Sequence, residues 1–380
     1  MPPFTCSMEK SKVHFLEAIA TLVGTVIGAG ILGIPYVVAK AGFWTGIIDI
    51  IIIGLAIMIT NLYVGEISLR TKERHQLTGF AKIYLGKWGK RLMAFSMVFG
   101  VYGALIAYTI GEGEALSAVF GGSPFIYSII FFAIMSLLIF TDLKMIKRVE
   151  IFLASIFLLI VILIGIFSFS SINLSNLATF DLSKIFLPYG VVLFAFLGAA
   201  AIPEMEAELI KEKKKLKKAI IIGSLIPLVV YLLFAFFVVG VTGKATTEVA
   251  TIGLGQIVGP EMIIFGNVFA MFTMATSFLT LGLALKWMYA YDYNMNKSLS
   301  WFITCTIPLV AFLLGVKNFI QTIGIVGGLA GGIEGILIIL MINKAKKKSG
   351  SRPEYSITTH WLLSSALIAL FVFGILYSIL

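Results

Sequence analysis

Apolar residues in this chain do not recur with the stripe of a surface helix; they run on almost without interruption, and clusters of charge punctuate them. Reading between those clusters gives eleven apolar stretches, at 13–39, 44–69, 91–119, 124–142, 149–170, 185–207, 219–241, 260–288, 299–315, 318–342 and 359–380. Each approaches or exceeds the ~20 residues a spanning helix needs. The pattern therefore predicts an all-α polytopic membrane protein with eleven transmembrane helices.

The first stretch breaks its own pattern. "VGTVIGAGILGIPY", Val23–Tyr36, carries four glycines and a proline at membrane depth. In a helix interior each Gly costs about 1 kcal/mol and Pro about 3, so a continuous helix is disfavoured there. Two readings are open. Gly24-x-x-x-Gly28 is a small-residue pattern that lets helices pack closely; alternatively the helix is discontinuous and its free backbone lines a cavity. A second such place favours the cavity. Gly30-Ile-Leu-Gly-Ile34-Pro35 and Gly198-Ala-Ala-Ala-Ile202-Pro203 share G-x-x-x-I-P at an offset of 168, and the same offset carries spans 2 to 5 onto spans 7 to 10. Ala81-x-Ile83-x-Leu85-Gly86 recurs as Ala250-x-Ile252-x-Leu254-Gly255 at offset 169. Five spans is an odd number, so the second copy enters the membrane inverted. Paired broken spans in inverted repeats point to a transporter site at the midplane.

The chain thus divides into a tail (1–12), repeat 1 (13–170), a loop (171–184), repeat 2 (185–342), a second loop (343–358) and an eleventh span outside the repeats (359–380). Residues 1–12 are too polar for a cleaved signal peptide.

Composition agrees with the span reading: of 380 residues 59% are hydrophobic and 13% charged. With the N-terminus inside the cell, 25 of the 29 Lys and Arg fall in inside segments, leaving Lys40, Lys184, Lys244 and Lys317 outside. That places the chain in the plasma membrane with its C-terminus outside. The +10 net charge then follows from topology rather than from nucleic-acid binding, and "KEKKKLKK" (Lys211–Lys218) faces anionic headgroups. Cys6 and Cys305 suggest neither a disulfide framework nor a metal cluster.

At these residues the chain resembles a known group. "GTVIGAGILGIPYVVAKAGF", with "AYTIGEGEAL" (Ala107–Leu116), is similar to amino-acid permeases of the amino acid/polyamine/organocation superfamily, and within it to the amino acid/auxin permeases and the tyrosine and tryptophan permeases. The resemblance implies eleven spans, the 5+5 inverted-repeat fold named for the bacterial leucine transporter, and an amino acid as substrate.

A free amino acid must shed water from a carboxylate and an ammonium, and unwound backbone offers amides to one and carbonyls to the other. The amides of Gly28, Ala29 and Gly30 would hold the carboxylate. By resemblance, the carbonyls of Phe194, Ala195 and Leu197 would hold the ammonium and Phe194 would act as an aromatic gate, although it also reads as an ordinary packed Phe. Gly198 and the alanines after it leave room for a side chain, Tyr108 and Phe272 would wall the space, and Gly327 and Gly328 would keep span 10 out of it. With no charge in the motif, a neutral amino acid is expected; an aromatic one is implied by resemblance.

For coupling, Thr273, Thr276 and Ser277 share one face of span 8. Carried over from sodium-coupled relatives of the fold, the ion site would combine carbonyls of Gly24, Ile27 and Thr273 with hydroxyls of Thr276 and Ser277. Proton-coupled relatives can place a Lys in span 5, and "EIFLASIFLLIVILIGIFSF" has none, which favours sodium over protons. Among intramembrane carboxylates, which are costly and usually functional, Glu112 lies one turn beyond Tyr108 and could border the vestibule or carry a proton. Glu17 and Glu66 read as interfacial; Glu334 reads as a buried pair or hydrogen bond. Glu204 is a further proton or gate candidate, while Glu206 and Glu208 read as salt-bridged surface.

Two other classes are disfavoured. A channel usually repeats around an axis normal to the membrane, whereas this repeat is inverted. An enzyme would need a nucleophile, base or metal set, but His14, His75 and His360 lie at span ends or in loops. No cofactor is expected beyond the coupling ion, and the partners implied are an amino acid and membrane lipid. Nothing in the sequence points to an oligomeric state.

Overall fold

The computed structural model describes residues 4–141, 159–348 and 352–380, and every element among them is helical. In chain order these are α1 (Phe4–Val26), α2 (Gly30–Ala41), α3 (Phe43–Arg70), α4 (Leu77–Phe120), α5 (Pro124–Phe140), α6 (Leu159–Ser171), α7 (Tyr189–Phe196), α8 (Ile202–Glu208), α9 (Leu216–Thr242), α10 (Ala250–Val258), α11 (Pro260–Trp287), α12 (Lys297–Leu313), α13 (Phe319–Val326), α14 (Gly332–Lys348) and α15 (Trp361–Ile379). Among the described residues seven helical segments are long and apolar enough to cross a membrane, with α7–α8 and α13–α14 each counted as one, and the bent pair α1/α2 makes an eighth. The shorter apolar α5, α6 and α12 occupy the predicted spans 4, 5 and 9. Residues 149–158, where span 5 was expected to begin, and the cations at 144–148 lie outside the described residues.

Both expected breaks are present. α1 and α2 meet at 55° across Ile27–Ala29, and α7 stops at Phe196, two residues before a short turn, Ala199–Ala201, leads into α8. Pro203 sits in the first turn of α8, where the missing amide costs least, whereas Pro35 is the sixth residue of α2 and interrupts its amide ladder just after the break.

The sequence match around Gly86 and Gly255 does not carry over to equivalent backbone. Gly86 has φ 79°, ψ −162° and separates a short first helix from the long span within α4. Gly255 stays helical, and the positive φ comes four residues later, at Gly259 (142°). What the two places share is a short helix ahead of a long one.

α4 packs on α5 and α11, and α9 packs on α1, α2 and α3, so the broken spans lie between two sets of continuous helices. Lys286 near the end of α11 is 2% exposed. It is buried because its Nζ donates to the carbonyls of Ile139 (2.8 Å) and Phe140 (3.0 Å) at the negative end of α5.

Candidate functional site

The two breaks approach so closely that only small residues fit. A Cβ on Gly30 would lie 2.6 Å from Ala195 Cα, and one on Gly198 would lie 2.5 Å from Val26 Cγ2. One on Gly28 would lie 3.1 Å from Ser277 Oγ, which brings α11 to the first break. Gly24 alone of these four meets nothing within 4 Å and faces open space.

That space is a cavity of about 280 Å³ lined by both breaks, α4, α11 and the α13–α14 span. It lies near the lower end of the roughly 300–1,000 Å³ usual for small-molecule sites. On one side Tyr108 and Phe194 close it edge to face, ring centroids 6.5 Å apart. On the other its lining runs along α11 through Thr280 and Leu281 to Ala284, and on α14 to Glu334. The walls near the breaks are mostly apolar, and Glu334 is the single charged residue among those that line the cavity.

Helix ends give the cavity its electrostatics. Within the first break the Gly28 amide turns back to the Val26 carbonyl (2.9 Å), and the amides of Ile31 and Leu32 take the carbonyls of Gly28 and Ala29. The Gly28 amide is therefore committed, contrary to expectation, and the Ala29 and Gly30 amides remain at the positive end of α2. At the second break the Phe194 carbonyl accepts the Leu197 amide (3.3 Å) and the Ala195 carbonyl accepts the Tyr231 hydroxyl (2.9 Å), while Phe194, Ala195 and Leu197 all line the cavity.

Of the expected ion residues, Gly24, Ile27, Thr276 and Ser277 line this cavity together. Thr273 does not: it is fully buried behind them, its hydroxyl bonded to the Phe269 carbonyl (2.9 Å) and its carbonyl to the Thr276 hydroxyl (3.1 Å). That carbonyl is already taken by the Thr276 hydroxyl, and Thr273 is not among the lining residues.

Phe272 also departs from expectation. It is 58% exposed and not among the lining residues, one turn of α11 before Thr276. Gly327 and Gly328 pack rather than line: a Cβ on Gly327 would lie 2.6 Å from the Phe194 amide, and one on Gly328 would enter Ser378 of α15. They let the π turn Gly327–Gly331 press against α7 and α15, and Ala330 is what reaches the cavity, its carbonyl held by Ser96 (2.7 Å).

Glu112 is 5% exposed and absent from the lining, because the Tyr108–Phe194 contact ends the cavity one turn short of it. Glu204 is exposed on α8, also outside the lining. Its neighbours bond as surface carboxylates do: Glu206 pairs with Lys213 (2.6 Å) and accepts from Ser68 (2.8 Å), and Glu208 accepts from Thr21 of α1 (3.1 Å).

Two residues went unnoticed in the sequence. Asp49 of α3 is 5% exposed, away from the cavity, inside a run of isoleucines. Tyr231 of α9 is fully buried, and its hydroxyl lies 2.8 Å from the Val26 carbonyl and 2.9 Å from the Ala195 carbonyl. The signal for Tyr231 was a single phenol within an apolar span, since a buried tyrosine hydroxyl needs a partner.

Comparison with known proteins agrees with this geometry. Residues 11–380 match the tryptophan/tyrosine permease family. Glutamine transporter 2 of Aliivibrio fischeri is 25% identical over 86% of this chain and 88% of its own. Tyrosine-specific transport system 1 of Haemophilus influenzae is 24% identical over 93% and 92%. Among solved structures, MhsT in complex with L-phenylalanine superposes with a TM-score of 0.67 at 14% identity, covering 96% of this chain and 97% of that one. A manganese transporter of Eremococcus coleocola gives 0.65 at 13% identity, over 96% and 86%. One fold thus serves an amino-acid-bound protein and a metal transporter, so fold alone does not choose the cargo. The sequence relatives are transporters and permeases, and the match spans nearly the whole chain: it belongs to the tryptophan/tyrosine permease family.

Proposed function

We propose that this chain is a secondary active transporter that moves a neutral amino acid, with an aromatic side chain favoured, together with sodium. One observation carries the reading: the amide end of α2 and the carbonyl end of α7 meet across a single cavity that two α11 hydroxyls also reach. The substrate carboxylate would take the Ala29 and Gly30 amides, and the ammonium the Ala195 carbonyl. Tyr108, Phe194, Met97, Val101 and Leu281 supply an apolar wall for the side chain. No Lys or Arg lines the cavity to receive a second carboxylate, and the relatives include tyrosine, tryptophan and glutamine transporters.

Sodium prefers a cage of oxygens, and of the residues that line the cavity Gly24 and Ile27 would supply two carbonyls and Thr276 and Ser277 two hydroxyls. Transport would proceed by alternating access in the plasma membrane. α1 and α8 would move together, joined by Thr21 and Glu208, against α4, α5, α11 and α12.

A second reading rests on Glu334, whose carboxylate lines the same cavity and would carry a proton in place of the sodium ion. Reconstituted vesicles distinguish the two. Labelled amino-acid uptake driven by a sodium gradient at equal pH supports the first; uptake driven only by a pH gradient supports the second; an unsaturable leak would defeat both.

A further inference from the structure

We propose that Tyr231 is a positioning residue that holds the two broken spans together through one shared proton, and that the proton moves aside when a cation enters. A phenol has one hydrogen and donates it to one acceptor at a time, yet the Tyr231 hydroxyl sits 2.8 Å from the Val26 carbonyl and 2.9 Å from the Ala195 carbonyl. Both carbonyls belong to the last turns of half-helices, α1 and α7, so two negative helix ends converge on one donor.

The two acceptors are not equivalent. The Val26 carbonyl also receives the Gly28 amide at 2.9 Å. The Ala195 carbonyl has no donor within its own helix, because α7 ends one residue later. The hydrogen therefore rests on Ala195, and Val26 stands ready as a second acceptor. Packing fixes the ring between them, since Tyr231 is fully buried and meets Phe196 edge to face at 4.9 Å.

A consequence follows that rests on the transport reading above. When the substrate ammonium docks on the Ala195 carbonyl, the hydroxyl rotates its hydrogen to Val26, already within bonding distance, and the ring need not move. Neither carbonyl is left unsatisfied in the loaded or the empty site, and the two breaks stay in register.

The test has two arms. Hydrogen exchange of the purified full chain in lipid nanodiscs, with no amino acid added, compares the native protein with Tyr231→Phe and with p-aminophenylalanine at the same position. Loss of the hydroxyl should speed exchange about fivefold or more in residues 24–30 and 194–201 together, with α4 and α5 unchanged. The amine, which offers one hydrogen to each carbonyl, should restore native protection in both segments, and it decides the matter if the Phe variant does not fold. Acceleration in one segment only, in neither, or throughout the chain overturns the proposal. In vesicles Tyr231→Phe should raise KM about tenfold with Vmax changed less than about twofold; an unchanged KM overturns the hand-over of the proton. If the native protein takes up no amino acid, the transport reading falls, while the exchange arm still decides whether Tyr231 joins the breaks.

Discussion

Tyr108 of α4 and Phe194 of α7 meet edge to face, ring centroids 6.5 Å apart, and together close the cavity on the side away from Glu334. This contact joins a continuous helix to a broken one, so it must part whenever the cavity opens that way. An aromatic pair contributes about 0.5–1.5 kcal/mol beyond its buried area. Phe194→Ala should therefore raise KM roughly 3- to 10-fold for an aromatic substrate, and less for a small neutral one. Equal losses for both, measured by uptake in vesicles, would show that Phe194 only packs.

The glycines of the breaks should separate by what surrounds them. Gly30→Ala drives a methyl to 2.6 Å from the Ala195 backbone, where no side chain can rotate away. Overpacking of this kind costs about 1–3 kcal/mol, and thermal melting should show it together with loss of uptake. Gly24→Ala meets nothing within 4 Å and should leave the melting midpoint unchanged, while the added methyl enters the cavity and weakens ion-dependent uptake. A midpoint that falls equally in both would contradict the close approach of the breaks.

Glu66 supports the fold away from the cavity. Fully buried, it accepts from Arg70 Nε (2.8 Å), Ser356 Oγ (2.9 Å) and the Ile357 amide (2.7 Å), tying the 352–360 segment to α3. Removing one partner of a buried ion pair costs about 3–5 kcal/mol, so Glu66→Ala should lower the melting midpoint by more than about 5 °C. A midpoint within a degree of native would contradict it.

Beside Glu66, Tyr355 donates to the Leu62 carbonyl at 2.8 Å. Burial first, and then the Glu66 charge, push its phenol well above the ordinary value of 10.0. A raised value means that its contribution is complete below the ordinary phenol pKa and fades only as the pH rises through the folded-state value. The stability lost in Tyr355→Phe should thus be constant between pH 6 and 8; a loss that changes over that range would contradict the assignment.

Much of this was legible in the sequence because membrane depth makes backbone irregularity costly. Glycine and proline at Gly28, Gly30, Pro35, Gly198 and Pro203 located both breaks, and the eleven apolar runs each hold helix among the described residues. What failed depended on contacts between distant spans. Phe272 and Thr276 are one helical turn apart, yet only Thr276 reaches the cavity, because where the cavity ends along α11 is set by the other spans and not by the sequence of α11. Glu112 was placed correctly on the Tyr108 face, but its isolation depends on a contact from another span, Phe194. Tyr231 lies 205 residues from Val26 and 36 from Ala195, and no local pattern joins them.

Glu334 separates the two coupling readings. Under sodium coupling its carboxylate carries no transported proton, and Glu334→Gln, which keeps the size of the side chain, should keep sodium-driven uptake within about threefold of native. Under proton coupling the same change abolishes response to a pH gradient. Measuring both gradients on this one variant assigns the carboxylate.

If the first break and the α11 hydroxyls share an ion with the substrate site, sodium and amino acid must depend on each other through Thr276 and Ser277. That dependence is read from initial uptake of a labelled aromatic amino acid into proteoliposomes as sodium is varied at fixed pH, for the native chain and for Thr276→Ala with Ser277→Ala. Saturable sodium activation is expected in the native protein, with its loss, or a large rise in half-saturating sodium, in the double variant. Full sodium dependence retained in the double variant, or uptake indifferent to sodium in the native chain, would contradict the shared site.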